Sequence, residues 1–178
     1  MRPSGNPPWA ELVQLVPIVS LAFPFIVAGK IDIARAGGGV LVAALLTLPV
    51  SAVVLLKKDV LSPILLGTAL WLWFAAIAFQ VPLPGLVADL GEAQGAGLFA
   101  GVVLVGIPSA AFSPYGFIGA RHPDVRWIRR SSAVLLALAV VALGFSWLFR
   151  HNIRAGGGLP FIVLNVVRRA MILRAPPA

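Results

Sequence analysis

Metal ligation, nucleophilic catalysis and proton relay each need particular side chains at short range, and this sequence offers few. Its two histidines, His122 and His151, lie in polar segments at opposite ends of one long apolar run, so they cannot share a metal or haem within a single chain. There is no cysteine, which excludes disulfides, thiolate chemistry and cysteine-ligated clusters. The triple glycines at 37–39 and 156–158 are not followed by the Lys-Ser/Thr of a phosphate-cradling loop. No nucleophile stands near both a histidine and a carboxylate. No Asp, Glu, Lys or Arg falls near the middle of an apolar run, where an ionisable group is expensive and is kept mainly for function. The sequence therefore reads as non-enzymatic, with no catalytic residue, cofactor or metal site assigned.

Two kinds of polar residue remain. Ser20, Thr47, Ser51, Thr68, Ser109, Ser146 and Asn165 lie deep in apolar runs. Serines and threonines in such places bond back to their own helix, whereas the Asn165 amide is expected to seek a partner on a neighbouring helix. The second kind is a basic cluster in segment 121–130: Arg121, His122, Arg126, Trp127, Arg129 and Arg130, offset by Asp124 alone. One reading is a topology signal that touches lipid headgroups. The other is a docking site for an acidic membrane partner, with Trp127 as its anchor.

The elements that position these residues follow from composition. The chain is 60% hydrophobic and 11% charged, against about 25% charged in soluble domains. A fold of 178 residues could not bury that much apolar surface from water, so lipid is the solvent for most of it. The net charge of +8 would suggest nucleic acid in a soluble protein. Here the basic residues sit between apolar runs, where they meet anionic headgroups, and no nucleic-acid partner is expected. The expected partners are the bilayer and other integral membrane proteins.

The fold class read from the sequence is all-α: one polytopic membrane helix bundle of six transmembrane helices, or five if the last apolar segment lies in the interface. The spans are expected at about 12–28, 37–56, 61–81, 95–112, 131–149 and 156–173. The two similar stretches, Ile-Ala-Arg-Ala-Gly-Gly-Gly from Ile33 and Ile-Arg-Ala-Gly-Gly-Gly from Ile153, read as the turns of two hydrophobic hairpins. Residues 81–94 and 113–130 read as loops. In the second span Gly39, Ala43 and Thr47 recur every four residues, and Gly97 and Gly101 do so in the fourth. Both spacings give smooth stripes for close helix contact. Trp71, Trp73 and Phe74 lie too deep for a headgroup belt and should pack on a helix, a lipid or a pigment. In the last segment Arg168 and Arg169 would have to snorkel toward headgroups.

With six spans, ten of the fourteen basic residues fall on one side of the membrane, including Lys57, Lys58, those of 121–130, Arg168, Arg169 and Arg174. The positive-inside rule then puts both termini in the cytoplasm of a bacterial inner membrane.

Several landmarks resemble the intracellular septation protein A family of bacterial inner-membrane proteins. They are Val16-Pro17 and Phe23 ahead of Asp32-Ile33, Lys57-Lys58 after the second span, Leu98-Phe99-Ala100-Gly101, and Pro123-Asp124 with Trp127 and Arg129-Arg130. The resemblance implies an envelope-maintenance protein that works through contacts with division or cell-wall proteins. Two other roles stay open from the residues themselves. The deep aromatics and glycine faces suit an accessory subunit of a respiratory or photosynthetic complex, and the repeated glycine stretch would suit a small-solute transporter.

Overall fold

The structure, a computed structural model, describes residues 9–10, 13–17, 33–81, 84–150 and 154–176. Over these residues the fold is all-α. The helices are α1 (Ile33–Leu56), α2 (Pro63–Gln80), α3 (Pro84–Phe112), α4 (Val125–Leu148) and α5 (Leu159–Leu173), with a wide π-helical turn at Arg154–Gly158 leading into α5. Five segments are long and apolar enough to cross a bilayer: Gly37–Leu56, Pro63–Gln80, Gly95–Phe112, Val125–Leu148 and Ala155–Leu173. At most half of each is buried within the chain, so the remaining apolar faces need lipid, and this is a membrane protein. The span expected at 12–28 lies mostly outside the described residues, as does His151.

Helix boundaries differ from the sequence reading in three places. The glycines 37–39 lie inside α1 and form no turn. Apolar residues on both sides of them carry the helix, which glycine in its interior weakens by only about 0.5–1 kcal/mol per residue. Residues from Pro84 to Gln94 are helical, not a loop. Proline suits the first turn, and Leu86, Ala88, Leu90, Glu92, Ala93 and Gln94 are all good helix formers. The resulting 29-residue helix is about 43 Å long, longer than the roughly 30 Å hydrocarbon core. Finally, α4 begins at Val125, six residues before the expected start at Ser131. Its N-cap is Asp124, whose Oδ1 accepts the backbone N–H groups of Arg126 (2.8 Å) and Trp127 (3.2 Å).

Close backbone approach holds α2 against α3. A Cβ on Gly67 would fall 2.7 Å from the Gly101 carbonyl and 2.8 Å from the Val102 nitrogen. One on Gly101 would collide with the Gly67 carbonyl, and one on Gly97 would lie 2.6 Å from Trp71 Cε2. Trp71 thus covers Gly97, an arrangement open only to a residue without a side chain. In lipid, where helices gain little from apolar burial alone, this packing supplies the attraction.

On the other face of α2, Trp73 reaches α1: its indole N–H donates to Thr47 Oγ1 at 3.1 Å, while that hydroxyl donates to the Ala44 carbonyl at 2.6 Å. Ala43 and Ala44 are fully buried in the same contact, beside Leu72, Ala75 and Ala76, and Gly39 is half-buried one turn away. The larger core joins α2 to α5 through Ile64, Phe99, Val102, Leu135, Ala139, Phe161 and Leu164. Its remaining aromatic, Phe117, comes from the connection between α3 and α4.

Candidate functional site

The connection from Ser113 to Asp124 dives into the bundle. Gly116 through Ala120 are all buried, forming a plug between the ends of α2, α4 and α5. Gly116 and Gly119 have φ of +60° and +62°, the left-handed region that costs other residues roughly 1–2 kcal/mol. They turn Phe117 into the main core and Ile118 into a second cluster with Ala120, Ile128 and Ile172.

A buried loop exposes backbone groups that no helix ladder satisfies. Two side chains meet this need at one residue. The Ile118 N–H donates to Ser132 Oγ (3.2 Å), and its carbonyl accepts from Arg168 Nε (2.8 Å). Arg168 is therefore buried, at 5% exposure, and faces inward. It does not snorkel to the headgroups as the sequence suggested; the unpaired carbonyl of the plug offers its guanidinium a closer partner. Arg169, next in the chain, is exposed. Asn165 also departs from expectation: its amide donates to Phe161 O one turn back (2.9 Å) and not to another helix. Thr68 likewise bonds to its own helix, at Leu65 O (2.8 Å). Ser146 donates instead to the Gly156 carbonyl in the wide turn.

Around the plug, four separate segments meet at one end of the bundle. Arg121 Nη2 donates to the Lys58 carbonyl, and the Arg121 guanidinium lies 5.9 Å from the Tyr115 ring centre. His122 Nδ1 accepts the Asp124 N–H at 3.0 Å, which leaves the ring proton on Nε2 to donate to Pro176 O at 2.9 Å. The Ser62 N–H donates to Gln14 Oε1 at 2.8 Å, and Lys57 Nζ lies 5.9 Å from the Trp9 ring centre. Segments near residues 9–17, 57–62, 113–124 and 174–176 thus share one end. The basic residues Lys57, Lys58, Arg121, Arg126, Arg129, Arg130 and Arg174 are exposed there.

Lys58 is itself left-handed, with φ of 56°. It closes α1 through Lys58 N–H to Leu55 O (2.9 Å) and Asp59 N–H to Val54 O (3.0 Å), the paired bonds of a Schellman ending.

The residues expected to meet a partner do not form one flat loop. Arg126, Arg129 and Arg130 project from the first two turns of α4 and are exposed. Trp127 is half-buried, its ring 4.6 Å from that of His122, and it packs against the Ile118–Ile172 cluster. It makes a structural contact, placed there by the helical start that Asp124 imposes. Between the plug and α4 lies an open groove of about 470 Å³, lined by Pro114, Tyr115, Arg121, His122, Pro123, Val125 and Ile128. Among the described residues, no three of His, Asp and Glu come together as metal ligands.

Sequence reading missed the plug, the inward-facing role of Arg168, and Gln14. A signal for the plug was present: glycines three apart around Phe117-Ile118, directly after Pro114-Tyr115. A signal for the cap was present too, in Pro123-Asp124 ahead of a helical pattern.

No family model matches the chain, and neither a curated protein nor a solved structure does.

Proposed function

We propose that this membrane protein is a non-enzymatic scaffold that engages an integral membrane partner through Arg126, Arg129 and Arg130 at the start of α4. The observation that carries the reading is a division of labour among polar side chains. Within the spans, Thr47, Ser132, Ser146 and Arg168 make hydrogen bonds between elements of the bundle, and Thr68 and Asn165 bond back to their own helices. Among the described residues, the exposed basic side chains are instead gathered at one end, and on α4 they are arginine without lysine. Arginine presents a planar fork that suits carboxylate or phosphate better than an ammonium does. The positive-inside rule makes that end cytoplasmic. The resemblance to the septation protein A family suggests a bacterial inner membrane and partners in envelope maintenance.

Purification in a mild detergent, with identification of co-eluting proteins, tests this reading. Arg126→Lys with Arg129→Lys keeps the charge and should lose most of a specific partner, while the protein still inserts. If the double Lys variant retains its partners fully and the double Ala variant merely inserts less reliably, the arginines are a topology signal. Recovery of redox or pigment-bearing subunits would favour the accessory-subunit role, for which the exposed stripe Leu66, Leu70, Phe74 and Ile77 on α2 is a suitable contact face.

A further inference from the structure

We infer that the groove between the plug and α4 seats the phosphate of an anionic phospholipid, with Arg121 as the donor held in place for it. This concerns a different ligand from the protein partner proposed above and does not depend on it.

Depth is the first observation. Three helices reach this end with a large apolar residue that is almost wholly exposed: Leu56 (83%), Phe112 (86%) and Leu173 (76%). Each is followed at once by a polar residue, Lys57, Ser113 and Arg174. Apolar surface so exposed belongs in hydrocarbon, and the change of residue type marks where hydrocarbon ends. Pro114 and Tyr115 come directly after that boundary in the chain, so the groove lies at the level of the lipid phosphates.

The chemistry of the lining is the second. Pro114, Pro123, Val125 and Ile128 make apolar walls, and Arg121 and Tyr115 bring the polar groups that face a ligand. Arg121 is already fixed on two sides, by the Lys58 carbonyl and the Tyr115 ring. Its fork therefore loses little freedom on meeting an anion. Both ring nitrogens of His122 are engaged, with Asp124 N–H and Pro176 O. The carboxylate of Asp124, the acid nearest in sequence, is turned to the N–H groups of Arg126 and Trp127. With Arg126, Arg129 and Arg130 exposed close by, the groove presents a positive site to a ligand with both an acyl body and a phosphate.

Thermal unfolding of the whole chain in a neutral detergent tests the inference, with phosphatidylglycerol, phosphatidylcholine, inorganic phosphate or an acidic peptide added in turn. Phosphatidylglycerol near a hundredfold excess over its Kd should raise the midpoint by about 5 °C, saturably, while the other three leave it in place. Arg121→Gln should lose most of that shift, and Arg150→Gln, at the opposite end, should keep it. Because Arg121 also braces the Lys58 turn, Val125→Glu serves as the second variant. An acid in the first turn of α4 favours the helix but repels a phosphate, so this variant should fold and lose the shift. Equal stabilisation by phosphatidylcholine overturns the proposal, as does a shift produced by inorganic phosphate or the peptide. A full shift retained in both Arg121→Gln and Val125→Glu overturns it as well.

Discussion

The two ends of the bundle are closed by different means. At the end away from the basic cluster, backbone lies on backbone. A Cβ on Gly95 would fall 2.8 Å from Gly157 Cα and 2.9 Å from the Gly156 carbonyl, and Ser146 donates to that same carbonyl. At the basic end, the chain between α3 and α4 folds inward, and side chains from distant helices satisfy its backbone. Ser132 takes the Ile118 N–H, and Arg168 serves its carbonyl. The first closure depends on the absence of side chains and the second on particular polar ones. The loops of the second end are fixed from beneath, and above them Arg126, Arg129 and Arg130 are exposed at the start of α4.

This contrast can be broken at its most constrained point. Gly116→Ala forces a residue with a Cβ into φ +60°, at about 1–2 kcal/mol. The new Cβ also lies against Ser132 Oγ and 2.7 Å from Ile128 Cγ2, and such overpacking adds roughly 1–3 kcal/mol. The combined loss should exceed that of Gly156→Ala, read as the unfolding midpoint in detergent. A variant as stable as the parent would mean that the plug is not held in this conformation.

The glycine stretches offer a sharper pair. Gly156→Ala places a Cβ 2.7 Å from the Phe149 carbonyl and should destabilise by about 1–3 kcal/mol. Gly38→Ala meets nothing within 4 Å inside α1 and should stabilise by about 0.5–1 kcal/mol. Opposite signs in the same unfolding assay are the expected result. Equal effects would return both stretches to one structural class.

That pair also shows what the sequence could tell. The fold class was legible, because long apolar runs in so weakly charged a chain have few alternatives. The role of the glycines was not: Gly37-Gly38-Gly39 and Gly156-Gly157-Gly158 are locally alike, and their difference comes from what packs on them. Trp71 and Trp73 were legible as packing residues, but their partners, Gly97 and Thr47, are set by helix pairing. Arg168 reads as headgroup-seeking in sequence, since nothing local reveals that the Ile118 carbonyl, fifty residues earlier, will be its partner. The start of α4 was read late because its basic residues suggested a loop, although Asp124 had the chemistry of a cap.

A smaller effect is expected at Lys58. Lys58→Gly removes the strain of a left-handed residue at the end of α1, worth about 1–2 kcal/mol, less the added chain entropy of glycine. A net gain of about 0.5–1 kcal/mol should appear as a slightly higher midpoint. A loss would show that the Lys58 side chain itself supports the turn.

The central claim is that four distant segments form one basic end on a single side of the membrane. Because the chain has no cysteine, single substitutions report accessibility without background. Lys58→Cys, Arg129→Cys and Arg174→Cys should all react with a membrane-impermeant maleimide from the same side, and Arg150→Cys only from the other. With the basic end cytoplasmic, as proposed from the charge rule, only Arg150→Cys should label in intact cells. If any one of the first three labels from the side of Arg150→Cys, the basic end does not exist as a single surface.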